Sequence, residues 1–269
     1  MKGAIIGDIV GSVYEFKTIK QKEFKFIKPK CFITDDTILT CAISRASLQY
    51  FYDKDVDNFY NNCIKYLKEY GILYPGYGYG YNFDEWIKNG EEPYNSYGNG
   101  SAMRTSSVAY IADSLEEAEL LAEMQAKCTH NHLEGIKGAK AITACIYLAK
   151  EGYSKDDIKK YIEDNYYKID FKIRDIYKKY KYDITCQGSV PQAIECFLEG
   201  EDFEDAIRNA ISLGGDADTL AAMTGSISEA FYGIPDNLKN KMYSFLPENI
   251  KKDIEIFYEN VIKKNELKR

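Results

Sequence analysis

Two acidic motifs, Thr34-Asp35-Asp36-Thr37 and Gly214-Gly215-Asp216-Ala217-Asp218-Thr219, stand at opposite ends of a 269-residue chain. Each supplies two carboxylates and a hydroxyl, the oxygen donors that hard cations such as Mg²⁺ take, whereas imidazole and thiolate suit softer ions. Asp and Thr are also ordinary helix caps, so either motif alone reads as structural. Two such motifs change that reading, because carboxylates gathered in one place repel unless a cation or protons neutralise them. If the fold joins the motifs, a two-metal site follows. Paired divalent ions suit hydrolysis, since they can bind substrate oxygens and lower the pKa of a bound water.

Other groups offer less. His130 and His132 are the only histidines. With no cysteine cluster and no His-Glu-x-x-His they read as a cap or a ligand contact rather than as zinc ligands. Two glycine-rich stretches can bring backbone close to a ligand. In Tyr74-Pro75-Gly76-Tyr77-Gly78-Tyr79-Gly80-Tyr81 the amides could cradle a phosphate, or the segment could simply connect. Gly98-Asn99-Gly100-Ser101-Ala102-Met103-Arg104 precedes a helix, whose free N-terminal amides suit an anion, or it is a plain turn and cap. From Lys17 to Lys30 run six lysines against one acid, Glu23. That segment is either a basic flap over an anionic ligand or a solvated loop.

The elements that must position these groups are helices. Apolar residues recur at helical spacing: Leu39, Ile43, Ala46 and Tyr50 after the first motif, and Ile142, Cys145, Ile146 and Ala149 in mid-chain, each set a single stripe. Leu220, Met223, Ile227 and Phe231 follow the second motif until Gly233 and Pro235 stop the helix. Ser114 with Glu117, and Ser154 with Asp157, have the spacing of N-caps. With no linker and no internal repeat, the chain reads as one all-α domain over residues 1–269, a compact helical bundle.

Composition narrows the function classes. A formal charge of −7 and a pI near 5.1 speak against binding nucleic acid through bulk attraction. Seven scattered cysteines, an odd number without a Cys-x-x-Cys pair, fit a reducing cytoplasm. Asp8 breaks the apolar start that a signal peptide would need. No apolar run reaches the roughly 20 residues of a membrane-spanning helix.

Taken in order, these residues resemble the ADP-ribosylglycohydrolase family. The resemblance rests on Gly3 to Phe16, the Thr34 to Thr37 motif, the Gly76/Gly78/Gly80 loop, Gly98 to Arg104, Thr129-His130, and Gly215-Asp216-Ala217-Asp218-Thr219. It implies an all-α fold around two Mg²⁺ or Mn²⁺ ions that cleaves the glycosidic bond between ADP-ribose and its acceptor. It further implies Glu15, Thr34, Asp35, Asp36, Asp216, Asp218 and Thr219 as metal ligands, with Asp218 bridging and Glu15 reaching in from the first helix. The diphosphate would lie on Gly76, Gly78 and Gly80, and the distal ribose near Asn99, Gly100, Ser101 and His130. Met103 would contact substrate or only pack, and Arg104 would form a structural ion pair or a motif contact. Asp35 or Glu15 would orient the attacking water or accept its proton, and nearby carboxylates would favour an oxocarbenium-like transition state. The implied partner is an ADP-ribosylated protein or a small ADP-ribosyl conjugate, acted on by a monomer; arginine, serine, a nucleobase and a small molecule all stay open as acceptor. A catalytically silent ADP-ribose-binding or structural relative is the alternative.

Overall fold

The computed structural model describes residues 1–90 and 92–263, and among them every regular element is a helix. The first half holds α1 (Lys2–Gly11), α2 (Asp35–Asp53), α3 (Val56–Leu73), α4 (Tyr81–Asn89), the single turns α5 (Gly100–Met103) and α6 (Val108–Ile111), and α7 (Leu115–Lys127). Then follow α8 (Leu133–Lys150), α9 (Lys155–Asn165), the short α10 (Ile173–Ile176), α11 (Cys186–Glu199), α12 (Phe203–Leu213), α13 (Ala217–Tyr232), α14 (Asp236–Tyr243) and α15 (Glu248–Phe257). One isolated antiparallel bridge, Gly98 to Thr185, joins two extended segments. The expected domain of 1–269 extends at 264–269 past the described residues.

Helix α13 is the axis. It packs against α1, α8, α11 and α12, and it is buried without a break from Ala217 to Ser228. Helix α8 is buried at every position from Ala141 to Ile146, and α2 from Asp36 to Ser44. The single stripes expected for α2 and α8 are therefore too narrow. Helices covered by neighbours on several sides bury small and apolar residues all round. The caps form as their residue types dictate. Ser154 and Asp157 make a reciprocal capping box at α9. Ser114 accepts the Glu117 amide at 3.1 Å, while the Glu117 carboxylate takes the amide of Asp113 and the Tyr50 hydroxyl instead.

Glycines let α1 lie backbone to backbone on α13. Gly3, Gly7 and Gly11 recur once per turn, on one face of α1. A Cβ at Gly7 would meet the Ala221 carbonyl oxygen at 2.0 Å, and one at Gly11 would meet the Asp218 Cα at 2.3 Å. This approach carries Asp8, and the chain beyond α1, to the start of α13. At the other end of the pair, the buried Met1 ammonium donates to Glu229 at 2.7 Å. Burial alone would raise the Glu229 carboxyl, but that ammonium, with hydrogen bonds from Tyr258 and the Gly3 amide, holds it below its usual range.

The lysine-rich segment after Phe16 is irregular in conformation and pinned at several points. Lys20 donates through Nζ to the carbonyls of Leu213 (2.5 Å) and Tyr180 (3.0 Å). Lys22 pairs with Asp205, and Arg208 donates to the carbonyls of Lys22 and Phe24. None of its lysines lines the cleft described below.

Gly7→Ala tests the α1–α13 contact. The added methyl meets backbone, which cannot swing aside, so we expect a loss at or above the roughly 1–3 kcal/mol typical of overpacking, read as a lower urea midpoint. An unchanged midpoint would show that the helices separate freely.

Candidate active site

Asp8 organises the first acidic motif from behind. It is fully buried, and one oxygen or the other accepts the Thr34 amide (3.0 Å), the Thr34 hydroxyl (2.8 Å), the Thr37 amide (3.1 Å) and the Thr37 hydroxyl. These bonds fix the N-terminus of α2, where the Thr34 side chain also caps the Asp36 amide at 3.3 Å. From there a chain of contacts crosses to the second motif. Asp36 Oδ2 lies 3.4 Å from Thr34 Oγ1 and accepts the Thr219 hydroxyl at 3.0 Å. Asp216 sits at the N-cap of α13 but makes no side-chain cap bond; its carboxylate accepts Asn99 Nδ2 at 2.7 Å. A purely structural cap is thereby excluded for Asp216, while Thr34 caps and also faces the other acids.

Glu15 completes the cluster, from the turns after α1 rather than from the helix itself. One oxygen each from Glu15, Asp216 and Asp218 lie within 4.8 Å of one another. Tyr182 donates to Glu15 Oε1 at 3.1 Å. Asp35 stands apart from this trio, on the cleft wall beside the glycine loop: its amide donates to the Tyr77 carbonyl at 2.8 Å.

Electrostatics shows what the cluster lacks. Burial, and secondarily Asp8 and Asp216, pushes Asp35 up to about 8. Burial, offset by the bonds from Thr34 and Thr37, leaves Asp8 at about 6. Burial followed by the neighbouring carboxylates raises Glu15, Asp36 and Asp218, and burial raises Asp216 despite its Asn99 bond. No cationic side chain among the described residues answers them: the Lys20 ammonium is spent on carbonyls. Asp36 Oδ1 is buried without a partner. A spare oxygen among mutually repelling carboxylates and hydroxyls fits a divalent cation, whose charge would return these groups to their ionised forms.

The acids line one side of a cleft of about 830 Å³, room for a ligand of dinucleotide size. Gly76, Gly78 and Gly80 line it as well. Gly76 and Gly78 have φ of 81° and 102°, in the left-handed region that disfavours a side chain, and Gly78 passes close to the Asp35 carboxylate. Asn99, Gly100, Met103 and His130 all face the cleft. Ser101 does not: fully buried, it donates to the Gly135 carbonyl at 2.7 Å and ties α5 to α8. The helix expected after this motif is a single turn, α5, beginning inside it at Gly100.

Arg104 makes no ion pair among the described residues; it bonds to Gln125 and, through Nη2, to Thr129 Oγ1 at 2.9 Å. Thr129 Oγ1, which accepts this Arg104 bond, also lies 2.7 Å from His130 Nδ1. Burial, helped by Arg104, holds the ring neutral well below its usual pKa. With the Thr129 hydroxyl donating to Nδ1, the neutral ring carries its proton on Nε2, which points at Gly98 and Gly100 on the cleft. His132 is different: its Nδ1 caps α8 by accepting the Glu134 amide at 3.1 Å.

Sequence reasoning gave no role to Asp8, which registered as an interruption of an apolar stretch and as part of the Gly3 to Phe16 motif, and missed Tyr182, inside a Lys/Tyr segment without a motif. The spacing from Asp8 to Glu15, one acid on the last turns of a helix and one beyond it, was the available signal.

Comparison with known proteins places these residues in context. A family profile described as ADP-ribosylglycohydrolase matches residues 1–267. The human protein named ADP-ribosylhydrolase ARH3 is 25% identical, the match covering 87% of this chain and 84% of that protein. The Pseudomonas putida protein named ADP-ribosylarginine hydrolase Tri1 is 26% identical over 67% of this chain, but that match spans only 47% of Tri1. A solved structure titled ADP-ribosylglycohydrolase-related protein complex superposes with a TM-score of 0.64 at 20% identity, covering 91% of this chain and 93% of that one. At that identity the likeness speaks for the helical fold.

The raised carboxyls set a pH dependence. In the metal-free protein Asp35 and Asp8 bind protons more tightly folded than unfolded, so their contribution is complete below the ordinary value of 3.8 and is lost as pH rises towards about 8 and 6. We expect the melting temperature in EDTA to fall between about pH 5 and pH 8, and Mg²⁺ to raise it more at pH 8 than at pH 5. An equal Mg²⁺ effect at both pH values would show that the cation does not replace those protons. Asp8→Asn replaces an acceptor of four bonds by a group that must donate as well, at an expected cost of about 1–3 kcal/mol in urea unfolding; no loss would mean the Thr34 and Thr37 bonds are weak.

Proposed function

This chain belongs to the ADP-ribosylglycohydrolase family, and we propose that it is a divalent-metal-dependent hydrolase that releases ADP-ribose from an ADP-ribosylated protein or a small ADP-ribosyl conjugate. The observation that carries this reading is the convergence of Glu15, Asp216 and Asp218 in the cleft, with Asp36, Thr34 and Thr219 linked beside them. In this reading Glu15, Thr34, Asp35, Asp36, Asp216, Asp218 and Thr219 hold two Mg²⁺ or Mn²⁺ ions. Bound there, the ions supply positive charge for the ribose hydroxyls and a more acidic water.

The chain's own residues do the rest. The backbone of Gly76, Gly78 and Gly80 receives the diphosphate, because nothing lies within 4 Å of a side-chain position at Gly76 or Gly80 to keep a ligand off. Asn99, Gly100, Met103 and the Nε2–H of His130 hold the distal ribose. Ser101 serves this site indirectly, by anchoring α5. Asp35 and Glu15 are the two proton acceptors available to an attacking water, and Tyr182 orients Glu15. As the anomeric carbon gains positive charge, the surrounding carboxylates stabilise it. A silent relative would have no need to hold so many carboxylates against their repulsion, and their full set favours turnover.

In this reading the chain acts as a monomer. The seven buried free thiols suit a reducing cytoplasm, and no described helix is long and apolar enough to cross a membrane.

The test is release of free ADP-ribose from arginine- and serine-ADP-ribosylated proteins with Mg²⁺, Mn²⁺ or EDTA, comparing the natural chain with Asp218→Asn. We expect metal-dependent release, reduced at least about 10²-fold in the variant with its helical content intact. Release that survives both EDTA and the substitution would overturn the metal-dependent mechanism.

A further inference from the structure

The mouth of the cleft carries a strip that the chemistry of ADP-ribose does not require. Beside Glu15, Phe16 is 86% exposed and stacks on Tyr182, itself 51% exposed, with ring centroids 6.1 Å apart. Phe32 and Ile184, each 53% exposed, continue the same apolar rim. Exposed apolar groups gathered at one place mark an interaction surface, whereas scattered ones mean nothing. Lysines flank this rim. Segments 16–30 and 177–184 contain nine lysines and only two acids, Glu23 and Asp183. They lie side by side, since Lys20 donates to the Tyr180 carbonyl.

Some of these lysines are occupied: Lys20 by carbonyls, Lys22 by Asp205, and Lys28 over the Tyr14 ring. Lys17, Lys30 and Lys181, each within two residues of Phe16, Phe32 or Tyr182, are exposed and have no ion-pair partner among the described residues. The same holds for Lys178 and Lys179, a turn further out. Of the acids beside them, Asp183 is engaged by the Thr185 amide and hydroxyl and Glu15 by the Tyr182 hydroxyl. Against a formal charge of −7 for the chain, this is a local reversal of sign at the place where the acceptor must leave.

We propose that this strip is the acceptor-docking surface, and that the acceptor it fits is a stretch of polypeptide with acidic residues beside the ADP-ribosylated side chain. The proposal rests on the hydrolase reading above and names the partner of that same cleft. Apolar side chains of the acceptor would cover Phe16, Phe32 and Tyr182 while its carboxylates face the lysines, which gives orientation and a faster encounter more than raw affinity. A nucleic acid fits less well: its repeated phosphates call for a basic stripe that continues along the surface, and here the positive charge stops at the mouth of an acidic protein.

The test uses fluorescent peptides carrying ADP-ribose on arginine or on serine, each with acidic or basic flanks, and an ADP-ribosylated oligonucleotide. Binding is followed by anisotropy in EDTA for the full chain and for K17E/K30E/K181E. We expect the acidic-flanked peptides to bind about tenfold more tightly than the basic-flanked ones at low ionic strength, the gap closing towards about 0.5 M salt. The triple variant should lose that preference while its affinity for free ADP-ribose stays the same. Equal binding of both peptides, or a preference that survives in the variant, overturns the proposal. So does a loss of free ADP-ribose binding in the variant, which would put the lysines in the nucleotide site, or tighter binding of the oligonucleotide, which would make the acceptor a nucleic acid. Turnover of the same conjugates with Mg²⁺ separates the two readings: a flank preference without any release keeps the docking surface and sinks the hydrolase.

Discussion

The structure turns on repulsion. Asp8, Glu15, Asp36, Asp216 and Asp218 are drawn into one region where burial and neighbouring carboxylates raise the proton affinity of Glu15, Asp36 and Asp218, and no cationic side chain among the described residues joins them. Carboxylates left to themselves would spread apart or take up protons. What prevents the first is hydrogen bonding by neutral donors, Thr34, Thr37, Thr219 and Asn99. These hold geometry without cancelling charge. Hydroxyls and an amide rather than lysines around the acids leave the electrostatic deficit open for something that comes and goes, which is what a bound metal and a substrate require.

Holding such a cluster depends on rigid supports on both sides. The glycine face of α1 lets it approach α13 until backbone meets backbone, and close-packed backbone yields less than side chains do. Asp8 and Asp218 then sit on two helices whose spacing is fixed by that contact. The Gly76 to Gly80 loop and the turns holding Glu15 ring the open side of the cleft.

Much of this was legible in the sequence, and what was not shares a cause. The helices after Thr34 and Asp216, the caps at Ser114 and Ser154, and the stop at Gly233 follow from residues within a few positions of one another. Local chemistry suffices there. The association of the two acidic motifs was an inference from charge, and the fold joins them through Asp36 and Thr219. Asp8 and Tyr182 escaped because their partners, Thr34, Thr37 and Glu15, lie far away in sequence, and nothing near an isolated Asp or Tyr announces such a contact. Ser101 misled for the converse reason: it belongs to a recognisable motif, yet its hydroxyl faces α8 while its neighbours face the cleft. The width of the buried faces of α2 and α8 was likewise invisible, since periodicity reports one covered side and not how many helices surround it.

The closeness of α1 and α13 also bears on how the molecule is made. Helix α1 leaves the ribosome about 200 residues before α13, with a glycine-rich face whose backbone partner is α13 itself. Its proper seat is therefore empty for most of translation, and the acidic centre cannot exist as a half-built ion trap in the nascent chain. Long-range closure of this kind slows folding, because the loop entropy is spent before the contact repays it. It also means that a chain interrupted early holds one acidic motif only, and that the acidic centre assembles at the same step that completes the core.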